Sequence, residues 1–275
     1  MSDACYACDE ETDPLPLRLD RAQLQICSRC GHGVTERTVE TAEDRTYGDA
    51  DDSREVYERL YLRPRLQSYR RGLDLLGPAN GSLILDIGCG YGHFLDLAQT
   101  DGWTVAGFEP APAIRRKALS SVSSVIRGTL QEALDGRTPD AITLWDSLEH
   151  TTDPRIELGK AFDLLPPGGA LVARVPDGRV FARLNDLSPR FLGPAYLKFA
   201  HPTNPEEHPH HFTPESMSLL AHEAGFEVDG LDESTFDERV ISSRTWFDAP
   251  VRHWLHRKGS TLPYEFTMLL RRKAG

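Results

Sequence analysis

From Gly81 onward, short apolar runs alternate with stretches in which apolar residues recur every three or four positions. The runs at about 82–87, 103–109, 123–127, 140–145 and 170–175 predict buried strands. Between them, the patterns at about 92–100, 112–120, 130–135 and 154–165 predict helices, the last stopped by Pro166-Pro167-Gly168-Gly169. Strand and helix in strict alternation predict an α/β fold, a parallel sheet covered by helices on both faces. A helix at about 214–224, stopped by Gly225, precedes two further strands at about 226–234 and 264–272. That makes seven strands, and the last two, with no crossover-helix pattern between them, are expected to pair antiparallel.

Two regions depart from this alternation. Over residues 46–80, Tyr57, Leu60, Tyr61, Leu66, Tyr69, Leu73 and Leu76 are spaced mostly by three or four, which predicts an amphipathic helical linker interrupted near Pro64. Arginines 54, 59, 63, 65, 70 and 71 stud the same stretch and read as a solvated helix face, with a grip on an anion as the alternative. Residues from about 176 to 212 are too long for a simple connection, and Phe181, Phe191, Tyr196 and Phe199 among them predict a lid or substrate wall.

Residues 1–45 carry a different signal. Cys5-x-x-Cys8 and Cys27-x-x-Cys30 are separated by 18 residues. Two such turns can bring four thiolates to one ion, so the spacing predicts a small domain built around a structural zinc. Four cysteine ligands leave no open position for water or substrate, which argues against a catalytic metal. The strand-like segment between the pairs has too little apolar surface to fold alone, and the metal would supply the missing stability. His32, in Cys30-Gly-His-Gly, reads as a loop histidine.

Composition narrows the function. The net charge of −11 opposes binding to a phosphate backbone, and residues 1–45 hold ten Asp or Glu against five Arg and no Lys. No nucleic-acid partner is expected. The N-terminus lacks the basic and apolar regions of a signal peptide, and no apolar run is long enough to span a bilayer, so a cytoplasmic location without membrane attachment is expected.

The candidate chemistry lies at the carboxyl ends of the predicted strands. Leu83-Ile-Leu-Asp86-Ile-Gly88-Cys89-Gly90-Tyr-Gly92 runs from a strand through a glycine-rich turn into a helix, whose first amides can face a ligand. Glu109, 23 residues after Asp86 and followed by Pro110, ends the next predicted strand, where a carboxylate can accept from both hydroxyls of a ribose. Farther on, Glu207-His208-Pro-His210-His211-Phe-Thr-Pro sets three histidines and an acid in a proline-flanked segment, a pattern suited to a general base.

At these residues the chain resembles the class I S-adenosylmethionine-dependent methyltransferases. Leu-Asp86-Ile-Gly-Cys-Gly-Tyr-Gly is similar to their first motif and Phe-Glu109-Pro to their acidic second. Asp140-Ala-Ile-Thr-Leu-Trp145-Asp146-Ser-Leu-Glu149-His150 is similar to their fourth-strand motif, with the Leu-Glu-His ending common in enzymes of the ubiquinone type. The resemblance covers about residues 81–275 and implies a Rossmann-like seven-stranded sheet that binds S-adenosylmethionine. It places Gly88, Cys89, Gly90 and Gly92 at the methionine portion, Asp86 at the loop or the amino group, Glu109 and Pro110 at the ribose, and Thr129 and Leu130 at adenine. Trp145 and Asp146 would stand at the sheet edge, Trp145 with a core role as the alternative. The segment at Glu207 and His208 also resembles one in zinc-containing sugar methyltransferases, whose glutamate and histidine lie in the active site, while His211 stands where those enzymes have tyrosine.

The resulting expectation is methyl transfer from S-adenosylmethionine to a small-molecule acceptor, a nucleotide-linked sugar or secondary metabolite, with a structural zinc at Cys5, Cys8, Cys27 and Cys30. His208, supported by Glu207, is the expected general base, with His150 and His211 behind it. The alternatives are a ribosomal RNA methyltransferase and a non-catalytic zinc-ribbon interaction protein.

Overall fold

The structure, a computed structural model, describes residues 4–10, 12–19, 22–37, 54–58, 62–179, 208–235 and 263–273. Two compact units divide the chain: one gathers residues 1–40, 175–219 and 233–266, the other residues 41–174, 220–232 and 267–275.

The second unit carries most of a seven-stranded sheet. Its strands are β4 (Leu83–Ile87), β5 (Thr104–Phe108), β6 (Ile126–Arg127), β7 (Ala141–Trp145), β8 (Ala170–Pro176), β10 (Phe226–Thr235) and β11 (Pro263–Arg272), in the order β10-β11-β8-β7-β4-β5-β6. β4 pairs parallel with β5 on one side and with β7 on the other, so the strand order turns around at β4. In open α/β sheets that point leaves a crevice at the carboxyl ends of the strands where ligands bind. β7 and β8 are buried along nearly their whole length, as strands covered on both faces must be.

β11 runs against β8. Arg272 accepts from Gly168 and donates to Gly169, so the end of β11 meets the start of β8. β10 is antiparallel to β11, as expected: Lys273 pairs with Glu227 and Arg271 with Asp229, so one partner number falls as the other rises.

The helices form where predicted, with two adjustments. The linker divides into α1 (Arg54–Tyr57) and α2 (Arg63–Leu76), and Pro64 sits in the first turn of α2, where its missing N–H costs nothing. After α3 (His93–Thr100), the helix expected over 112–120 is only α4 (Pro112–Arg115). It tightens into a turn because the Leu119 amide donates to Tyr91 O (2.9 Å) instead of continuing the helix. The strand expected at 123–127 shrinks likewise to β6. α5 (Leu130–Leu134), α6 (Pro154–Leu164) and α7 (Pro214–Glu223) complete the set. Tyr69 and Leu73 of α2 and Phe94, Leu95 and Ala98 of α3 pack with Ile84, Val105, Trp145 and Val172 in one core cluster.

The first unit contains a four-stranded sheet. β1 (Thr12–Leu19), β2 (Ala22–Cys27) and β3 (Gly33–Arg37) pair antiparallel in sequence order. The fourth strand, β9 (His210–His211), comes from the far end of the chain and sets Gly33 opposite His211 and Val34 opposite His210. No sequence pattern marks these two histidines as a strand. Of the expected lid, residues 180–207 lie outside the described residues.

Candidate functional site

The first site is built on β4. The amides of Gly88 and Cys89 both donate to Phe108 O, at 2.8 and 3.0 Å, which ties the glycine turn to the end of β5. The three glycines answer three different demands. A Cβ at Gly92 (φ +88°) would stand 2.5 Å from Val122 Cγ2, and one at Gly88 would stand 2.9 Å from Ser147 Cβ. At Gly90 (φ +55°) an added Cβ would meet none of the described residues within 4 Å. The turn is thus packed at its ends and open at its middle, leaving room for a ligand over Gly90. Gly92 caps α3 without a side-chain hydrogen bond, so the helix start carries no internal substitute for an anionic group.

Glu109 closes this turn from the next strand. Its Oε2 accepts from the Gly90 amide (3.0 Å) and its Oε1 from the Ala111 amide (2.8 Å). Each carboxylate oxygen keeps a further lone pair, so both can still accept from a pair of vicinal hydroxyls. Burial raises the Glu109 carboxyl above its ordinary value, against the lowering effect of the two amides and Arg115. Arg115 donates to the carbonyls of Glu109 and Pro110 and so pins the turn after β5. Nothing in the local sequence distinguishes it from its neighbour Arg116. Pro110 itself is exposed, and Cys89 is buried beneath the turn.

Asp86 lies below, inside the sheet. Thr143 of β7 donates to it (2.8 Å), and burial pushes its carboxyl up to about 8. Thr129 is the N-cap of α5 and accepts from the Glu132 amide in a Thr-x-x-Glu cap; Leu130 follows as the first helical residue. Trp145 takes the core alternative: its ring packs against Tyr69 and Phe94 and directly over Gly72.

Past β7 the chain turns through Asp146 with φ +48°, a left-handed conformation outside glycine. Burial alone would raise the Asp146 carboxyl, but Arg174 and Arg65 outweigh it and hold it low. Arg174 contacts it directly and Arg65 at 2.6 Å. Ser147 then packs on Gly88 and donates to Ile87 O, joining the two loops. Glu149 and His150 follow in a single 3-10 turn. Glu149, which the sequence reading quotes without a role, is fully buried, and burial with the nearby Asp146 carboxylate raises it to about 8.

The second site lies in the first unit. All four predicted thiols converge, each within 4.8 Å of the others. Cys5 Sγ and Cys30 Sγ are 3.6 Å apart, and Cys8 Sγ and Cys27 Sγ 3.5 Å. These separations exceed a disulfide bond and approach the roughly 3.8 Å expected between sulfurs of a tetrahedral zinc site. The donor set fits a structural metal. Contact with Cys30 holds the Cys5 thiol down at about 5, and the reciprocal contact raises Cys30, as for two sulfurs sharing one proton.

The histidine segment is divided among several partners. Glu207 lies outside the described residues. His208 is buried, with its ring centre 6.2 Å from that of His211. His211 Nε2 and Thr35 Oγ1 share a hydrogen bond of 2.8 Å, while His210 Nδ1 meets His32 Nε2 at 3.2 Å. His32, expected in a loop, is fully buried.

A family model described as a methyltransferase domain matches residues 61–231. The chain belongs to the S-adenosylmethionine-dependent methyltransferases. Among relatives, the methyltransferase is 26% identical over 195 residues to a ubiquinone biosynthesis O-methyltransferase of Thiobacillus denitrificans, across 66% of this chain and 81% of that one. Other proteins of the same name match over shorter stretches, 65% of the Dinoroseobacter shibae protein and 40% of the Salmonella arizonae protein. Among solved structures, a cyclopropane synthase from Mycobacterium tuberculosis superposes with a TM-score of 0.59 at 16% identity, covering 86% of this methyltransferase and all of that chain. A methyltransferase from Archaeoglobus fulgidus gives 0.54 at 16% identity, covering 79% and 98%. At that identity the likeness speaks for the fold alone.

Proposed function

We propose that the methyltransferase uses S-adenosylmethionine to methylate a small molecule through oxygen, and that zinc occupies the four-cysteine site. The open middle of the glycine turn, beside the buried Glu109, is the observation that carries the donor assignment. Glu109 would hold the ribose hydroxyls, and the turn from Gly88 to Gly92 with Asp86 would hold the methionine portion. When bound, the donor supplies a methyl group on a positively charged sulfur. The chain's own part is to exclude water, align the acceptor and take its proton, with alignment contributing most.

The relatives named as O-methyltransferases support an oxygen acceptor, and a nucleotide-linked sugar or phenolic secondary metabolite supplies such an oxygen. A hydroxyl starts protonated, so a base is worth about 10²- to 10⁴-fold. His150, on the loop whose Ser147 packs against Gly88, and His208, on its sequence resemblance, are the proposed bases. His211 is set aside, since its Nε2 is already engaged by Thr35.

Native mass spectrometry with and without added S-adenosylmethionine tests both assignments at once. One zinc and one donor per chain are expected; zinc with no donor would overturn the catalytic reading. A panel of phenols and nucleotide sugars then identifies the acceptor. Against the acceptor so found, His150→Ala and His208→Ala separate the two bases, because only loss of the true base lowers turnover with donor affinity unchanged.

A further inference from the structure

The Cys30-Gly31-His32-Gly33 turn is read residue by residue by the segment around β9 and the start of α7. Thr213 Oγ1 donates to Cys30 O at 2.6 Å. A Cβ on Gly31 (φ +69°) would stand 2.8 Å from the Thr213 methyl, and one on Gly33 would stand 3.1 Å from His211 Cβ, so both glycines lie close against the segment. His32 lies between two partners, with Nε2 at 3.2 Å from His210 Nδ1 and Nδ1 at 3.4 Å from Ser216 Oγ. Tyr6, between the cysteines of the other pair, packs its ring on both His32 and His210.

Thr213 and Ser216 also cap α7 reciprocally. The Ser216 amide donates to Thr213 Oγ1 (3.1 Å) and the Thr213 amide to Ser216 Oγ (2.9 Å). A Thr-x-x-Ser pair of this kind secures the first turn of a helix. Here the cap hydroxyl has a proton to spare, and it goes to the carbonyl of a cysteine. The helix start and the cysteine turn therefore share one hydroxyl, and a change in either is felt by the other.

We infer that metal at the four cysteines sets the His208–Thr213 segment and the first turn of α7, with His32 and Thr213 as the positioning residues that transmit it. This rests on the zinc reading above. A metal that fixes Cys27 and Cys30 fixes the carbonyl and the imidazole on which the 210–216 segment is seated. Without the metal, Cys27 and Cys30 are no longer tied to the other pair through a shared ion, so that turn is held less firmly and the cap loosens with it.

Hydrogen exchange on the full chain, loaded with zinc and then treated with a chelator, tests the coupling. In the wild type, the chelator should speed exchange at the amides of Thr213 and Ser216 as well as through residues 5–30. Thr213→Val should keep one zinc per chain and leave the thiolate absorption of the cobalt-substituted protein unchanged. It should nonetheless speed exchange at the first turn of α7 roughly fivefold, the scale of a lost cap, and Thr213→Ser should restore it. With His32→Ala added to Thr213→Val, the chelator should have nothing further to release at 213–217. If no metal binds, the zinc reading falls and the coupling with it. If metal binds and its removal loosens residues 5–30 but leaves 213–217 unchanged, the coupling alone is overturned.

Discussion

At the scale of single residues, Gly90 and Gly92 make opposite demands although they are two positions apart in one turn. Gly92→Ala forces a Cβ to within 2.5 Å of Val122 at φ +88°, and should cost about 3 kcal/mol or more by denaturant unfolding. Gly90→Ala meets open space, so it should cost about 1 kcal/mol for its left-handed backbone while lowering donor affinity roughly tenfold or more. A Gly90→Ala protein that binds the donor normally would place the ligand elsewhere. Asp86 gives a pH signature. Its carboxyl sits near 8 in the folded chain against 3.8 in the open chain, so the folded state holds a proton that the unfolded state has lost across that window. Stability contributed at this position therefore falls as pH rises from about 4 toward 8. A cationic donor favours the charged carboxylate, so binding should release a proton, and affinity should climb up to about pH 8 and level beyond it. Calorimetry in buffers of different ionisation heat reads the released proton, and Asp86→Asn should abolish it.

At the scale of elements, what was legible in the chain is what local pattern encodes. β4, β5, β7 and β8 are apolar runs because both faces of that sheet are covered, and their bounds lie within a residue or two of the sequence reading. β9 was not legible, since two histidines have no strand signature and pair only because β3 offers an edge. The same holds within the site. Cysteine spacing announces a shared centre, whereas His32 acquires its partners His210 and Ser216 only through tertiary contact. At Thr129, Thr-x-x-Glu is a helix start, and the structure uses it as one. Thr129→Ala should accordingly destabilise the fold by about 1 kcal/mol in a denaturant titration. A variant of unchanged stability and lowered donor affinity would return that hydroxyl to adenine.

At the scale of the whole molecule, the cysteine segment is part of a composite body, because residues 1–40 cluster with 175–219 and 233–266. Deleting residues 1–40 would strip β9 of its partner β3 and uncover the buried His211, Phe212 and Thr213. The truncated chain should melt at lower temperature and scatter light on heating, even with donor present. An unchanged melting curve would show the segment to be a detachable module. The pairing of β3 with β9 also sets a timetable for synthesis. The cysteines leave the ribosome first, yet the strand that completes their sheet is translated about 170 residues later, roughly ten to thirty-five seconds at ordinary elongation rates. During that interval the nascent chain carries an open sheet edge beside four thiols, and, on the proposed zinc assignment, early capture of the metal would keep those sulfurs from oxidation while the edge waits for its partner.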